Sequence, residues 1–151
     1  MLAKKLGESF FNEKLNNICL DWLKDPIFSI REVAILNIKE LCTIFGPQWS
    51  LKFVLPPLMD LHKEANYLHR MTPLFAISKL GTVFPPEIVR SSFLPVLNVL
   101  HVDKVANIRM NVAKTLSQLM PSLKDADIIG NCKNILNVLS TDKDLDVQYY
   151  S

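Results

Sequence analysis

The sequence has little glycine and little unbalanced charge, and both shortages limit what the protein can do. Four glycines among 151 residues leave little room for the glycine-rich loops that cradle phosphate groups. The formal net charge of +2 is too small to predict binding to nucleic acid or to an anionic membrane surface. No apolar run approaches the length that a membrane-spanning helix needs.

Cysteine is also scarce. The three cysteines, Cys19, Cys42 and Cys132, are odd in number and widely spaced, which is typical of free thiols in a reducing compartment. We therefore expect the protein in the cytoplasm, with the nucleus as a second location.

Motifs that carry chemistry are missing as well. The sequence contains no nucleophile motif, no P-loop and no dinucleotide fingerprint. The histidines have no cysteine or carboxylate at metal-ligand spacing. Asp142, Asp144 and Asp146 alternate as in a calcium loop, but the glycine and the late glutamate of that loop are absent. We predict a protein that is not an enzyme and that needs no cofactor and no metal.

What the sequence does contain is a repeated step from an acidic residue to an arginine or glutamine six residues later. Successive steps begin 39 residues apart. The four steps run from Asp25 to Arg31, from Glu64 to Arg70, from Asp103 to Arg109 and from Asp142 to Gln148. A period held this strictly is typical of repeat proteins. It predicts full repeats at 8–46, 47–85 and 86–124, a partial repeat at 125–151, and the end of a preceding repeat at 1–7.

Each repeat has the pattern of two antiparallel helices, A and B, joined by a short turn. In the first repeat, apolar spacing predicts helix A over about 10–24 and helix B from Ser29. Asp25-Pro26 separates the two helices, and Ser29 with Glu32 has the pattern of a capping box. The predicted fold is an all-α superhelix, an α-solenoid, with A helices on one side and B helices on the other.

Three prolines fall inside predicted helices. Pro56 and Pro95 share a register in helix A, and we expect them to bend it because each removes an amide donor. Pro73 falls inside helix B of the second repeat. Either that helix bends at Pro73, or Thr72 caps a late start with Pro73 at the first helical position. The apolar register is the same on both sides of Pro73, so we favour a helix that starts near Tyr67 and is locally distorted.

The last repeat has a predicted helix A over about 126–139, and the chain stops one turn into helix B. We expect the chain to be part of a longer array. Both ends should expose apolar surface, which contacts between copies of the chain could cover. Of the two tryptophans, Trp22 shares a core register with Leu61, and Trp49 lies at a helix start; we expect core packing for both.

The arginine of each step lies in the first turn of helix B, where the helix dipole disfavours a positive charge. Two interpretations stay open. Asp25, Glu64, Asp103 and Asp142 could pair with the arginine of their own or an adjacent turn, which would form a structural ladder. Alternatively, the arginines could face a protein partner, and five donors allow a guanidinium to serve both roles. Gln148 weakens any ladder at the last step.

The turns also carry residue types that are enriched at interface anchors. Phe28 and Tyr67 occupy the same register of successive turns, close to Arg31, His69 and Arg70. This row is either a binding edge or a set of side chains that pack on neighbouring turns.

Helix pairs of this length, with Asp in the turn and Arg at the start of the second helix, resemble HEAT repeats. The segments 10–16, 30–32, 66–72 and 105–114 resemble the C-terminal repeats of the scaffold (A) subunits of protein phosphatase 2A. The most specific matches are Asn-Tyr-Leu-His-Arg-Met at 66–71 and Val-Ala-Asn-Ile-Arg at 105–109. The chain departs from the family pattern at Pro73, where the pattern has threonine, and in its incomplete last helix.

The resemblance implies a non-catalytic scaffold. In that family the C-terminal repeats hold the catalytic subunit of a serine/threonine phosphatase on the ridge of intra-repeat turns and B-helix starts, and regulatory subunits dock on the N-terminal repeats. Carried over to this chain, the ridge contains Trp22, Phe28, Arg31, Tyr67, His69, Arg70, Asn107, Arg109 and Asp146.

Two other binding classes remain. A transport adaptor that binds linear peptides on its concave face would carry rows of acids or asparagines along its B helices. Here those helices carry a mixture, namely Glu32, Lys39, Glu40, Lys79 and Lys114. A nucleic-acid-binding repeat protein would need a basic stripe, for which the net charge is too small.

Overall fold

The computed structural model describes residue 5 and residues 7–151, and every regular element in that part of the chain is a helix. The all-α prediction is therefore confirmed for the described residues. The predicted end of a preceding repeat, residues 1–7, lies almost wholly outside them.

The helices follow one another in pairs, and in most pairs the A helix is divided into shorter segments. The first two pairs consist of α1 (Glu8–Lys14), α2 (Asn16–Asp21), α3 (Phe28–Phe45), α4 (Pro47–Phe53), α5 (Leu55–Asp60) and α6 (Tyr67–Leu80). The remaining helices are α7 (Pro86–Ile88), a π-helical turn (Val89–Phe93), α8 (Leu94–Leu100), α9 (Ala106–Leu119), α10 (Ala126–Leu139) and α11 (Leu145–Tyr150). Short 3₁₀ turns cover Trp22–Lys24, Leu61–Lys63 and Met120–Ser122.

The B helices begin in strict register with the repeated step. Their first residues are Phe28, Tyr67, Ala106 and Leu145, each 39 residues after the last. They also pack in chain order, α3 on α6, α6 on α9 and α9 on α11. One cluster of buried side chains runs through all the pairs, from Phe11 to Val147.

The predicted capping box at Ser29 is wrong. Helix α3 begins at Phe28, so Ser29 is already its second residue, and the N-cap position belongs to Ile27. The reason is that Asp25 turns the chain earlier, since its Oδ1 accepts the Ile27 amide at 2.8 Å. Such an Asx turn fixes the start of helix B two residues before a serine cap could.

The predicted bends in helix A are confirmed at both prolines. In the second pair the helix breaks at Val54, just before Pro56, and in the third the π-helical turn ends at Phe93, just before Pro95. The first pair breaks at the same register, at Leu15, although it has no proline there.

A buried asparagine of the first pair compensates for a proline of the second. A helical amide at position 57 would donate to the Phe53 carbonyl, and Pro57 has no such donor. The side-chain amide of Asn16 reaches that carbonyl instead, at 3.5 Å. Asn16 thereby satisfies an acceptor that the neighbouring helix leaves open.

Helix α6 begins at Tyr67, as predicted, and runs through Pro73 to Leu80. The hydroxyl of Thr72, beside the proline, donates to the Leu23 carbonyl of the preceding pair at 3.2 Å. Helix α10 also has the predicted bounds.

The two tryptophans differ in burial. Trp49 is buried, its indole Nε1 donates to Asn12 Oδ1 at 2.8 Å, and its ring lies against Phe11 and Phe45. The expectation of core packing is wrong for Trp22, which is 43% exposed. Leu61, at the same register of the second pair, is buried.

Apolar side chains are exposed near both ends of the described chain. Ile18 and Val33 in the first pair are about half exposed, and Leu145 and Tyr149 in the last are more than three-quarters exposed. Among the described residues, no helix is long and apolar enough to cross a membrane.

Candidate functional site

The turns between the A and B helices, together with the first turns of the B helices, form the part of the structure that we name the turn edge. It comprises the predicted partner residues Trp22, Phe28, Arg31, Tyr67, His69, Arg70, Asn107, Arg109 and Asp146, and the step acids Asp25, Glu64, Asp103 and Asp142. The fold places these residues at equivalent positions in successive pairs, because the B helices begin in register.

The six-residue step has a direct structural cause within each turn. Its second residue donates from the side chain to the backbone carbonyl of its first. Arg31 Nη1 binds Asp25 O at 2.6 Å, Arg70 Nη1 binds Glu64 O at 3.0 Å, Arg109 Nη1 binds Asp103 O at 2.7 Å and Gln148 Nε2 binds Asp142 O at 2.5 Å. Glutamine therefore keeps this contact at the fourth step, although it lacks the charge.

The same arginines also reach the acid of the following turn. Arg70 donates from Nε and Nη2 to the two carboxylate oxygens of Asp103, at 2.8 and 3.0 Å. Arg109 donates in the same way to Asp142, at 2.6 and 2.7 Å. Each of these guanidinium groups therefore fixes its own turn through Nη1 and joins it to the next turn through Nε and Nη2.

An Asx turn orients the carboxylates that accept these bonds. Asp103 Oδ1 takes the Val105 amide at 2.9 Å, and Asp142 Oδ1 takes the Asp144 amide at the same distance. The carboxylate is thus held against its own turn in the position where the arginine binds it. This arrangement compensates for the positive charge of Arg70 and Arg109 at the starts of α6 and α9.

The ionisation of these groups reflects the pairing. Hydrogen bonding by Arg109 lowers the pKa of Asp142 and outweighs the opposing effect of burial. Burial raises the pKa of Asp103, but hydrogen bonds from Arg70 and the Val105 amide lower it further, so that the net shift is downward. The bond to Asp142 raises the pKa of Arg109.

The first step of the ladder is open, which means that its arginine is not paired with the acid of the following turn. Arg31 binds the carbonyls of Asp25 and Pro26, but its buried Nε has no hydrogen-bond partner among the described residues. Glu64, which stands where Asp103 and Asp142 stand in later turns, accepts from Lys24 Nζ at 3.0 Å instead.

The difference between glutamate and aspartate explains the open step. A glutamate carboxylate lies one methylene farther from the backbone than an aspartate carboxylate, so it does not make the two-residue Asx turn. In the described chain, the Glu64 carboxylate accepts no backbone amide. Asn66 caps the start of α6 by accepting the Leu68 amide at 3.0 Å, but this N-cap does not replace the Asx turn, since the last turn has both. The free carboxylate then pairs with the lysine.

The turn-edge side chains differ in exposure: some are buried, some are exposed, and His69 lies between them. Arg31, Arg70 and Arg109 are each about 5–6% exposed. His69 is half-buried, and its Nδ1 lies 4.0 Å from Glu64 Oε2. The exposed set consists of Trp22, Phe28, Tyr67, Asn107 and Asp146. Chemically, the edge offers aromatic and polar groups on a rigid internal frame of charge-assisted hydrogen bonds.

The structure adds residues to this edge that sequence reasoning missed. The Phe28 ring lies edge-on to Phe75 with centroids 5.1 Å apart, and Arg31 Cζ lies 5.7 Å from the centre of the Phe28 ring. These side chains, with Lys79 of the same helix as Phe75 and with Gln118 of α9, line a groove of about 130 Å³. The groove combines residues from three B helices, and no local sequence pattern indicates it.

The cysteines and His62 are not among the turn-edge residues. The three cysteines are free thiols, and burial raises the pKa of each, so they are poor nucleophiles. His62 Nδ1 lies 2.7 Å from the Met59 carbonyl. Across residues 5 and 7–151, no group of three or more potential ligands could hold a metal ion.

No protein-family model matches the sequence, and no curated protein matches it either.

Proposed function

We propose that the chain is an array of HEAT-type repeats, an α-solenoid, which acts as a non-catalytic scaffold for the catalytic subunit of a serine/threonine phosphatase of the 2A type. Two features support the repeat architecture. The B helices begin 39 residues apart, and each packs on the next. The resemblance of the turn segments at 66–71 and 105–109 to the scaffold family supports the partner.

The observation that carries the binding role is a row of exposed aromatic side chains along the turn edge. Phe28 and Tyr67 occupy the same position at the start of successive B helices, and both are more than 40% exposed. Trp22 adds a third exposed ring at the end of the first A helix. Aromatic side chains that are presented rigidly act as interface anchors, because little conformational entropy is lost when they are buried.

In this proposal, the buried arginines mainly position the edge. Arg70 and Arg109 hold neighbouring turns together, and the exposed aromatic residues, with Asn107 and Asp146, contact the partner. Regulatory subunits would join through further N-terminal repeats of the full scaffold. The proposed location is the cytoplasm or the nucleus.

Affinity for the purified phosphatase catalytic subunit tests the proposal. A Trp22→Ala, Phe28→Ala, Tyr67→Ala triple variant should bind at least about a hundredfold more weakly, because aromatic anchors dominate interface energy. Val99→Ala with Val138→Ala is a control for the loss of exposed apolar side chains, since both valines are 52% exposed and neither is a predicted partner residue. Equal affinity of the triple variant and the control would refute the proposal.

A transport adaptor that binds peptides along its B helices is a second candidate, and the groove between α3 and α6 is the observation that favours it. A Leu36→Asp change would place a charge in the groove, whose lining includes Phe28 but neither Trp22 nor Tyr67. Loss of binding to extended peptides, with unchanged binding to the catalytic subunit, would separate the two functions.

A further inference from the structure

We propose that Arg31 and the groove beside it form a receptor for a single carboxylate side chain of a binding partner, an aspartate or glutamate next to an apolar residue. The proposal rests on the proposed function only for the identity of that partner. The site itself follows from the hydrogen bonds of the three arginines.

Comparison of equivalent positions shows what Arg31 lacks. Arg70 and Arg109 each direct Nε and Nη2 to an aspartate. Arg31 is equally buried, yet its Nε has no hydrogen-bond partner within the described residues. A buried donor without an acceptor is unfavourable, and a carboxylate is the acceptor that this edge of a guanidinium binds best.

The chain does not supply that carboxylate itself. Glu64 occupies the equivalent position, but its Oε1 lies 3.0 Å from Lys24 Nζ. No Asx turn holds Glu64 toward Arg31, as it holds Asp103 toward Arg70. Arg31 Nε is itself covered in the structure, so an external carboxylate reaches it only when neighbouring side chains move. It then completes at the first step the pattern that the later steps complete internally.

The groove fits the apolar part of such a ligand. Phe28, Ile35, Leu36 and Phe75 contribute its apolar lining, and its volume is about 130 Å³. A groove of that size holds a side chain and not a whole helix.

The charge of the groove also favours an acidic ligand. Arg31 and Lys79 contribute two positive charges and Glu32 contributes one negative charge, which leaves a net positive charge. In the described chain, neither Lys79 nor Glu32 forms an ion pair with another side chain, so Lys79 can attract the ligand before Arg31 binds it.

The first test follows the Nε–Hε signals of the arginines by NMR in ¹⁵N-labelled protein. The probe is the capped dipeptide acetyl-Glu-Phe-amide, and acetyl-Gln-Phe-amide is its matched control. We expect the glutamate probe to shift the Arg31 signal and to leave those of Arg70 and Arg109 unchanged, because their acceptors are already in place. No shift of the Arg31 signal up to the solubility limit of the probe, or the same shift with the glutamine probe, would overturn the proposal.

The second test closes the site without removing Arg31. In a Lys24→Gln, Glu64→Asp double variant, the shorter carboxylate can form the Asx turn and bind Arg31 internally. The Arg31 signal should then resemble those of Arg70 and Arg109, and the probe should bind about tenfold more weakly. A Lys24→Gln, Glu64→Gln double variant is the matched control, since it also lacks Lys24 but supplies no carboxylate to Arg31, and it should keep the affinity of the wild type. Unchanged probe binding in the Glu64→Asp double variant would also overturn the proposal.

The same variants separate this site from the proposed function. If the Glu64→Asp double variant weakens binding of the probe and of the phosphatase catalytic subunit, both proposals gain support. If it weakens binding of the probe alone, the carboxylate site stands and the catalytic subunit does not supply the carboxylate.

Discussion

Arg109 and Asp142 lie 33 residues apart in the chain and are joined by two hydrogen bonds, Nε to Oδ2 at 2.6 Å and Nη2 to Oδ1 at 2.7 Å. The same pair of bonds joins Arg70 to Asp103. Each arginine also holds the carbonyl at the start of its own turn, so one side chain connects the local turn to the next helix pair. The ladder should therefore couple the folding of neighbouring pairs.

Removal of one ladder carboxylate should strongly destabilise the protein. Asp103→Ala leaves the buried Arg70 without its acceptor, and we expect a loss of about 3–5 kcal/mol in the free energy of unfolding, measured by urea denaturation. Asp60→Ala is the matched control, because the side chains of Asp60 and Lys63 are both more than 60% exposed. That change should cost at most about 1 kcal/mol. Similar losses in the two variants would show that the ladder pair contributes no more than a surface ion pair.

The ladder should also make stability depend on pH in the acid range. The pKa values of Asp103 and Asp142 are lower in the folded protein than in the unfolded chain. Their contribution is therefore fully present above the unfolded pKa of about 4 and is lost as the pH falls through the lower, folded values. The urea midpoint should fall steeply below about pH 4.

The Asp142→Asn variant tests whether the ladder causes this loss of stability at acid pH. Asp142→Asn removes one titrating carboxylate, so the variant should be less stable at neutral pH and should lose less stability between neutral and acid pH than the wild type. If the variant and the wild type lose the same amount of stability between neutral and acid pH, other carboxylates cause the loss.

The period of the sequence predicts where each B helix begins, because the six-residue step corresponds to a physical contact. The second residue of the step reaches back to the carbonyl of the first, and this contact fixes the turn at every copy. The kinks in helix A are predictable only in part. Pro56 and Pro95 remove specific amide donors, but the first pair breaks at the same register, at Leu15, without a proline.

The open step at Arg31 is not predictable from the pattern of charges, because glutamate and aspartate count equally in such a pattern. The Asx turn distinguishes them by one methylene group, and the effect appears only when Lys24 of the preceding turn is placed within 3.0 Å of Glu64. The groove beside Phe28 also cannot be predicted from the sequence. Phe75 and Gln118 come from other helix pairs, and only the packing of B helices brings them together.

Gly81 should tolerate no side chain. A Cβ at this position would lie 2.2 Å from Leu119 Cδ1 and 2.9 Å from the Ile77 carbonyl oxygen. Leu119 is itself buried, so it has little space into which it can move. We expect Gly81→Ala to lower the free energy of unfolding by about 1–3 kcal/mol, which is the usual range for overpacking.

Gly130→Ala is the matched control for this prediction. Gly130 lies inside α10, and a Cβ there meets no described heavy atom within 4 Å. Alanine should stabilise the helix by up to about 1 kcal/mol, because it replaces a residue of low helix propensity. Thermal unfolding of the two variants should give shifts of opposite sign, and a stabilised Gly81→Ala protein would contradict the close approach of α6 and α9.

Substitution of Trp49 should lower the stability of the protein, whereas substitution of Trp22 should weaken binding to the partner. Trp49 is 4% exposed and donates to Asn12, so Trp49→Ala should cost about 3–5 kcal/mol of stability in urea denaturation. Trp22 is 43% exposed, and Trp22→Ala should change stability by less than about 1 kcal/mol.

The Trp22→Ala change should also weaken binding to the phosphatase catalytic subunit by about 2 kcal/mol or more, as expected for an aromatic anchor. If Trp22→Ala binds like the wild type, Trp22 is not part of the interface. If Trp22→Ala loses as much stability as Trp49→Ala, the Trp22 side chain contributes to the core.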